Sequence, residues 1–252
     1  MEEVPLTMID LGGRRVLVTG AAERLGAVIA RAFAESGAEV IVHCFRSTDA
    51  ADTLLKTLPS GAPFIRHSRV SCDLADLDAV RSLPGSVGPV DILVNNAAMW
   101  IRGNAPQAEL ERQETVNHLA PCELIRGFAA IRPDGREFSA VNILDAAVLL
   151  PGFVPATPYE TAKAALMRDT RELALELAPH VRANAVAPGP VFAPRELGSE
   201  GMKRTPAELP LKRAVVPEDV ARAVIFLASS FSVTGAVLPV DCGQSLRFSP
   251  PT

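Results

Sequence analysis

The 252-residue chain is sparing with several residue types, and each scarcity excludes something. Its four cysteines, Cys44, Cys72, Cys122 and Cys242, form no CxxC pair and no close cluster in sequence. That spacing argues against a disulfide framework, reads as four reduced thiols, and leads to no expected metal. No apolar run approaches the roughly 20 residues a bilayer span needs. The opening MEEVPLTMIDLGG has no basic region leading into an apolar stretch, so it does not read as a signal peptide, and the cytoplasm is the default location. Charge is not concentrated anywhere: 25 Lys and Arg against 29 Asp and Glu give a net charge of -4. Nucleic acid and membrane are therefore not expected partners, and a small-molecule substrate is. No linker or repeat divides the chain, which predicts one domain over 1–252. Tyrosine and tryptophan occur once each, as Tyr159 and Trp100.

What is present is an alternation of short apolar runs and longer amphipathic ones. Strands are predicted at Arg15–Val18, Glu39–His43, within Phe64–Cys72, and at Val90–Val94, Phe138–Leu144, Val181–Ala187 and Val237–Val240. Helices are predicted at Leu25–Ala38, Thr48–Leu58, Asp76–Leu83, Leu110–Ile131 (interrupted near Pro121), Thr157–Ala178 and Pro217–Ser229. Strands alternating with helices predict an α/β fold: a doubly wound, mostly parallel sheet of about seven strands with helices on both faces. Residues 188–216, rich in Pro, Gly and charge, break the rhythm and read as a substrate-side loop.

The first strand–turn–helix unit is the natural phosphate site, because a helix N-terminus offers free N–H groups and positive dipole. The turn runs Thr19-Gly20-Ala21-Ala22-Glu23-Arg24-Leu25-Gly26. Gly20 suits the tight turn, and Gly26 suits close packing of helix on sheet. The second strand ends His43-Cys44-Phe45-Arg46-Ser47, with no acid to hold a ribose diol. Arg46 and Ser47, with Arg24 on the same side, instead suit a 2'-phosphate, which favours NADPH over NADH. Asp73, followed by Leu74, either accepts from an adenine amino group or caps the next helix. Asn95 is expected to brace loops, while the Asn96–Ala97 peptide lines the ribose region.

Tyr159 and Lys163 lie four apart on a predicted helix and so share a face. An adjacent ammonium is expected to lower the phenol pKa and ready it for proton transfer. Asp145 ends the preceding strand; it orients a substrate amine, or shares protons with Tyr159, or caps or braces the following loop. Asn117 either holds a water or backbone group in a proton path from Lys163 or marks a helix irregularity. Trp100 suits stacking on a flat substrate or, equally, a place in the core. Pro188-Gly189-Pro190 forms a rigid turn beside the cleft that can cover a nicotinamide ring.

Together these residues resemble the short-chain dehydrogenase/reductase family over nearly the whole chain: TGAAERLG at 19–26, Asp73, NNA at 95–97, Asn117, YETAK at 159–163 and PGP at 188–190. The resemblance implies a Rossmann-type sheet, hydride transfer with a nicotinamide cofactor, and a homotetramer or homodimer built through the two long helices. Two departures are informative. Arg24 stands where the family usually has glycine, and Asp145 stands where it usually has a catalytic serine. Both resemble the pteridine reductase and dihydromonapterin reductase branch, as do the segments 43–47 and 233–247. That branch implies a pterin or folate sandwiched between nicotinamide and Trp100. Tyr159 then protonates a ring nitrogen, and Arg24 and Pro190 stand on the substrate side. The alternatives are an NADPH-dependent carbonyl or imine reductase of another small molecule, and a non-catalytic NADPH-binding interaction protein.

Overall fold

In a computed structural model of the chain, residues 9–60, 65–101, 105–192 and 208–246 are described. The strands are β1 (Arg15–Val18), β2 (Glu39–Cys44), β3 (Ser68–Ser71), β4 (Ile92–Asn95), β5 (Phe138–Ile143), β6 (Val181–Pro188) and β7 (Val237–Val240). Each alternates its side chains across the sheet, and the core divides accordingly. Val16 and Val18 of β1 face one apolar layer, while Leu17 between them faces the other. The first layer is filled by Ile29 and Phe33 of α1 (Arg24–Glu35), Leu54 of α2 (Thr48–Leu55), and Val220 and Val224 of α7 (Pro217–Ser229). The second is filled by Leu83 of α3 (Leu77–Val87), Phe128 of α5 (Ala120–Ile131), and Leu166 and Leu173 of α6 (Pro158–Glu176). With both faces covered, the central strands are continuously buried, and the chain forms a single Rossmann-type domain.

The sheet order is β3-β2-β1-β4-β5-β6-β7, and all seven strands are parallel. The chain reverses its direction of winding between β1 and β4. In open parallel sheets the crevice beyond the strand ends at such a switch point is where ligands bind.

The long helix expected over 110–131 begins earlier, as α4 (Gln107–Glu114), and its interruption is a π turn at Thr115–Leu119, just before Pro121. A proline lacks its N–H and crowds the carbonyl four residues back; here Pro121 falls in the first turn of α5, where the widened turn relieves both. The first helix stops at Glu35 rather than Ala38, because Gly37 takes φ +87 and turns the chain back. The third strand, Ser68–Ser71, falls within the predicted 64–72; 61–64 lie outside the described residues, as does 193–207 of the predicted substrate-side loop. Among the described residues no helix is long and apolar enough to cross a membrane.

Candidate active site

The β1–α1 turn is tied into a knot of hydrogen bonds at the switch point. Thr19 Oγ1 donates to Val94 O (3.3 Å) and accepts from the N–H groups of Asn96 (2.9 Å) and Ala97 (3.0 Å). Asn96 Nδ2 donates back to Thr19 O (2.9 Å) and Gly20 O (3.1 Å). Gly20 has φ +61, and a Cβ there would meet Ala97 Cα at 2.9 Å. At Gly26 a Cβ would lie 2.2 Å from Gly20 O, so only glycine lets α1 start this close to the turn. Glu23 at the N-cap makes no side-chain capping bond. The N-cap residue of α1 thus supplies no side-chain acceptor to the first-turn N–H groups, which suits a phosphate.

His43 is 2 % exposed and belongs to this knot. Its Nδ1 accepts from Gly20 N–H (3.1 Å) and its Nε2 lies 3.2 Å from Cys72 O, which fixes the neutral tautomer with the proton on Nε2. Burial lowers its pKa to about 4. His43 therefore shapes the phosphate turn from beneath, with both ring nitrogens engaged by the protein. Arg46 and Ser47 are exposed beyond it, the Arg46 guanidinium lying 4.7 Å over the Phe45 ring. Asp73 accepts from Ala75 N–H (2.9 Å) and pairs with Arg112 (3.0 Å). The capping of α3 falls instead to Asp76, whose side chain accepts from Asp78 and Ala79. Leu74 is buried behind Asp73.

Arg24 is exposed and holds φ +53, the left-handed region that costs a non-glycine residue roughly 1–2 kcal/mol. A glycine, which the family resemblance leads one to expect at this position, would hold that conformation without the cost. Leu25 beside it packs partly against the core. The Arg24 guanidinium lies 5.2 Å over the ring of Phe192, just beyond the PGP turn. That turn is held by Gly189 N–H to Val240 O (3.0 Å) and Val215 N–H to Pro190 O (3.1 Å), and β6 closes at Pro188.

Asp145, Tyr159 and Lys163 come together across the cleft. A capping box at Thr157 and Glu160 starts α6, with Pro158 in its first turn, and so fixes where Tyr159 points. Lys163 is 2 % exposed; its Nζ donates to Ile143 O (2.8 Å) and lies 5.9 Å from the Tyr159 ring centroid. Burial lowers its pKa to about 8, against the pull of Asp145. Asp145 accepts from Ala147 N–H (2.9 Å), capping the 3-10 turn at Ala146–Leu149, and lies close enough to the Tyr159 phenol for its charge to act on it. Burial raises its pKa, while Ala147 and Lys163 oppose the shift. The expectation that Lys163 lowers the phenol pKa is corrected here: burial first, then the Asp145 carboxylate, push Tyr159 well up. The phenol is thus held protonated, the form a proton donor needs before reaction.

Asn117, in the π turn, accepts from Met99 N–H (2.8 Å) and donates to Met99 O (2.6 Å). Its side chain holds a backbone group and sits at a helix irregularity at the same time. Two residues on, Ile101 N–H donates to Gln113 Oε1 (2.5 Å). The backbone is therefore clamped on either side of Trp100, while Trp100 itself stays 55 % exposed and is not part of the core. Asn95, by contrast, is buried in a brace: its Nδ2 donates to Asn142 Oδ1 (2.9 Å), and Asn142 in turn donates to Thr170 Oγ1 (2.8 Å). Gln113 and Phe192 were not singled out from sequence. Gln113 is a buried polar residue on an otherwise exposed polar helix, and only the fold reveals its partner.

Residues 20–245 match the family model described as Enoyl-(Acyl carrier protein) reductase. The chain is 32 % identical to the D-xylose 1-dehydrogenase of Caulobacter vibrioides over 247 residues, covering 93 % of this chain and 96 % of that one. It is 33 % identical to Pteridine reductase 1 of Leishmania tarentolae over 281 aligned positions, covering 91 % and 96 %. Among solved structures it is similar to FolM Alternative dihydrofolate reductase 1 from Brucella canis complexed with NADP, with a TM-score of 0.86, 32 % identity, and 96 % and 97 % of the two chains covered.

Proposed function

The chain belongs to the short-chain dehydrogenase/reductase family, and from that membership we propose that it reduces a pteridine, a dihydropterin or dihydrofolate, to the tetrahydro form. At the coarser level it is an NADPH-dependent oxidoreductase of that family. The uncapped start of α1, the glycines at 20 and 26, and the cations Arg24 and Arg46 fit a dinucleotide bearing a 2'-phosphate.

The observation that carries the pteridine reading is the carboxyl of Asp145 against the phenol of Tyr159. An oxyanion developing on a ketone would meet repulsion there. A ring bearing N–H and amino groups would meet an acceptor. NADPH, when bound, would supply the hydride, which a ring C=N carbon would accept. Tyr159 gives its proton to the ring nitrogen, and Lys163 stabilises the tyrosinate left behind. Asp145, beside Tyr159, holds the substrate N–H and takes part in returning the proton. Trp100, exposed on a clamped backbone, is the platform on which the flat ring stacks. Arg24, fixed over Phe192, faces the same space.

The D-xylose 1-dehydrogenase relative, 32 % identical, favours a second reading, carbonyl reduction on a sugar-like substrate. The variant Asp145→Ser separates the two. NADPH oxidation is measured against a panel of pterins, folates, ketones and sugars. The expected result is pterin turnover by the wild type, falling by about 10²-fold or more in the variant while ketone reduction rises. Wild-type activity on ketones or sugars alone overturns the pteridine reading, and undiminished pterin turnover by the variant removes Asp145 from it.

A further inference from the structure

Away from the cleft, three side chains with metal-ligating atoms converge between α5 and α6. His118 lies in the π turn and Cys122 four residues later, so the two share a face, and both meet Asp169 of α6. His118 Nε2 is 2.6 Å from Asp169 Oδ2, and Cys122 Sγ is 3.9 Å from the same oxygen. A ring nitrogen, the sulfur and a carboxylate oxygen all lie within 4.8 Å of one another. His118 and Cys122 are buried, while Asp169 is partly exposed and gives the cluster a solvent-facing side.

A histidine–aspartate pair accounts for only part of this. The thiol remains, and so does His118 Nδ1, which is buried with no hydrogen-bond partner among the described residues. A nucleophilic triad does not fit either. The sulfur rests on the carboxylate rather than on the imidazole, and burial, with Asp169 adding to it, raises the thiol pKa to about 12. Such a thiol is inert until a cation displaces its proton.

We propose that His118, Cys122 and Asp169 form a binding site for a divalent zinc-type ion, with water completing four-coordination. A mixed nitrogen, sulfur and oxygen donor set suits a borderline-soft ion, and one thiolate plus one carboxylate neutralise its charge. Bonds of roughly 2.0–2.3 Å place tetrahedral ligand atoms about 3.3–3.8 Å apart, so the sulfur–oxygen pair is already close to spacing and the His118–Asp169 contact opens by under an ångström. On binding, the thiol proton leaves to solvent, and an imidazole that ligates through Nε2 carries its proton on Nδ1. The other Asp169 oxygen stays paired with Arg168, while Arg126 and Glu123 are the further charges that act on the thiol. Asp169 lies on the helix that carries Tyr159 and Lys163, so the ion would tie that helix to α5.

The test titrates Co2+ into the full-length protein after dialysis against chelator. The expected result is one equivalent bound with a thiolate-to-cobalt charge-transfer band in the near ultraviolet. Affinity should rise about tenfold per pH unit as one proton is released, and Tm should rise on binding. Cys122→Ser should lose the band, and Asp169→Asn should weaken binding at least tenfold. Binding without a charge-transfer band, an undiminished band in Cys122→Ser, or no binding in roughly tenfold excess Co2+ overturns the proposal. If Cys122→Ser does not fold, unchanged affinity in Asp169→Asn overturns it equally. None of these readouts depends on the substrate proposed above.

Discussion

The two sides of the switch-point crevice treat buried polar groups in opposite ways. On the phosphate side, the Thr19 hydroxyl, the Asn96 Nδ2 and both His43 ring nitrogens are engaged by the protein, and the one ionisable member is held neutral. On the catalytic side, Lys163 is buried and Asp145 and Tyr159 are half-buried beside it, all three with pKa values displaced chiefly by desolvation. The first arrangement contributes stability and shape. The second costs stability, because desolvating a lysine and a carboxylate is repaid only in part by their attraction. Perturbed titrations gathered in a cleft are where chemistry is expected, so the contrast separates scaffold from reactive group.

The largest effect should come from Lys163→Met. Reduction should fall by about 10²–10⁴-fold, because the tyrosinate loses its cation. Thermal stability should rise, by about 1 kcal/mol, because a buried charge is replaced by an apolar chain of similar length. Steady-state rates beside a melting curve check both halves. A variant that is inactive because it is less stable would erase the contrast.

Next comes Gly26→Ala on the phosphate side. The added Cβ meets Gly20 O at 2.2 Å and Asn96 Nδ2 at 2.6 Å, so the knot must open. Here stability and cofactor affinity should fall together, by about 2–3 kcal/mol in unfolding free energy. Urea denaturation and NADPH titration read the two. Loss of activity with the urea midpoint unchanged would contradict a scaffold role.

His43 gives the same side a pH signature. Its folded pKa, about 4, lies below the unfolded value of about 6.5. The unfolded chain therefore takes up the proton first, so this contribution is complete above about pH 6.5 and is lost as pH falls toward 4. The loss amounts to about 3 kcal/mol at the acid end. His43→Gln should be less stable than wild type at pH 7 and should lack that part of the acid dependence. Parallel urea midpoints for the two proteins from pH 7 to pH 4 would remove His43 from the knot.

How much of this was legible in sequence follows the same divide. The strand and helix order, the switch-point turn and the Tyr159–Lys163 pair could be read because their signals are local: alternation, glycine punctuation and a four-residue spacing. The direction of the Tyr159 pKa could not, because it depends on how deeply the phenol is buried and on Asp145, 14 residues away. Asp73 reads either as an acceptor for an adenine amino group or as a helix cap, and only the fold shows that Asp76 caps α3 and that Arg112 takes the other Asp73 oxygen. His43 stands in the segment 43–47 that resembles the NADPH-reductase branch, and only the fold shows that its ring is held by Gly20 and Cys72, from two other parts of the chain.

The smallest effect tests the substrate end of the catalytic side. Gln113→Leu keeps the side-chain volume but leaves Ile101 N–H without its acceptor. One clamp on the Trp100 backbone is lost, while Asn117 still holds Met99. A single hydrogen bond of about 1 kcal/mol predicts a KM for the pterin raised roughly five- to tenfold with kcat little changed. Because Trp100 is the sole tryptophan, its fluorescence reports the same site directly: substrate should quench the wild type, and the variant should need proportionally more substrate for half-quenching. Equal quenching curves would mean that the exposed indole is not where the substrate stacks. A lowered kcat at unchanged KM would move Gln113 from the binding platform to the reacting groups.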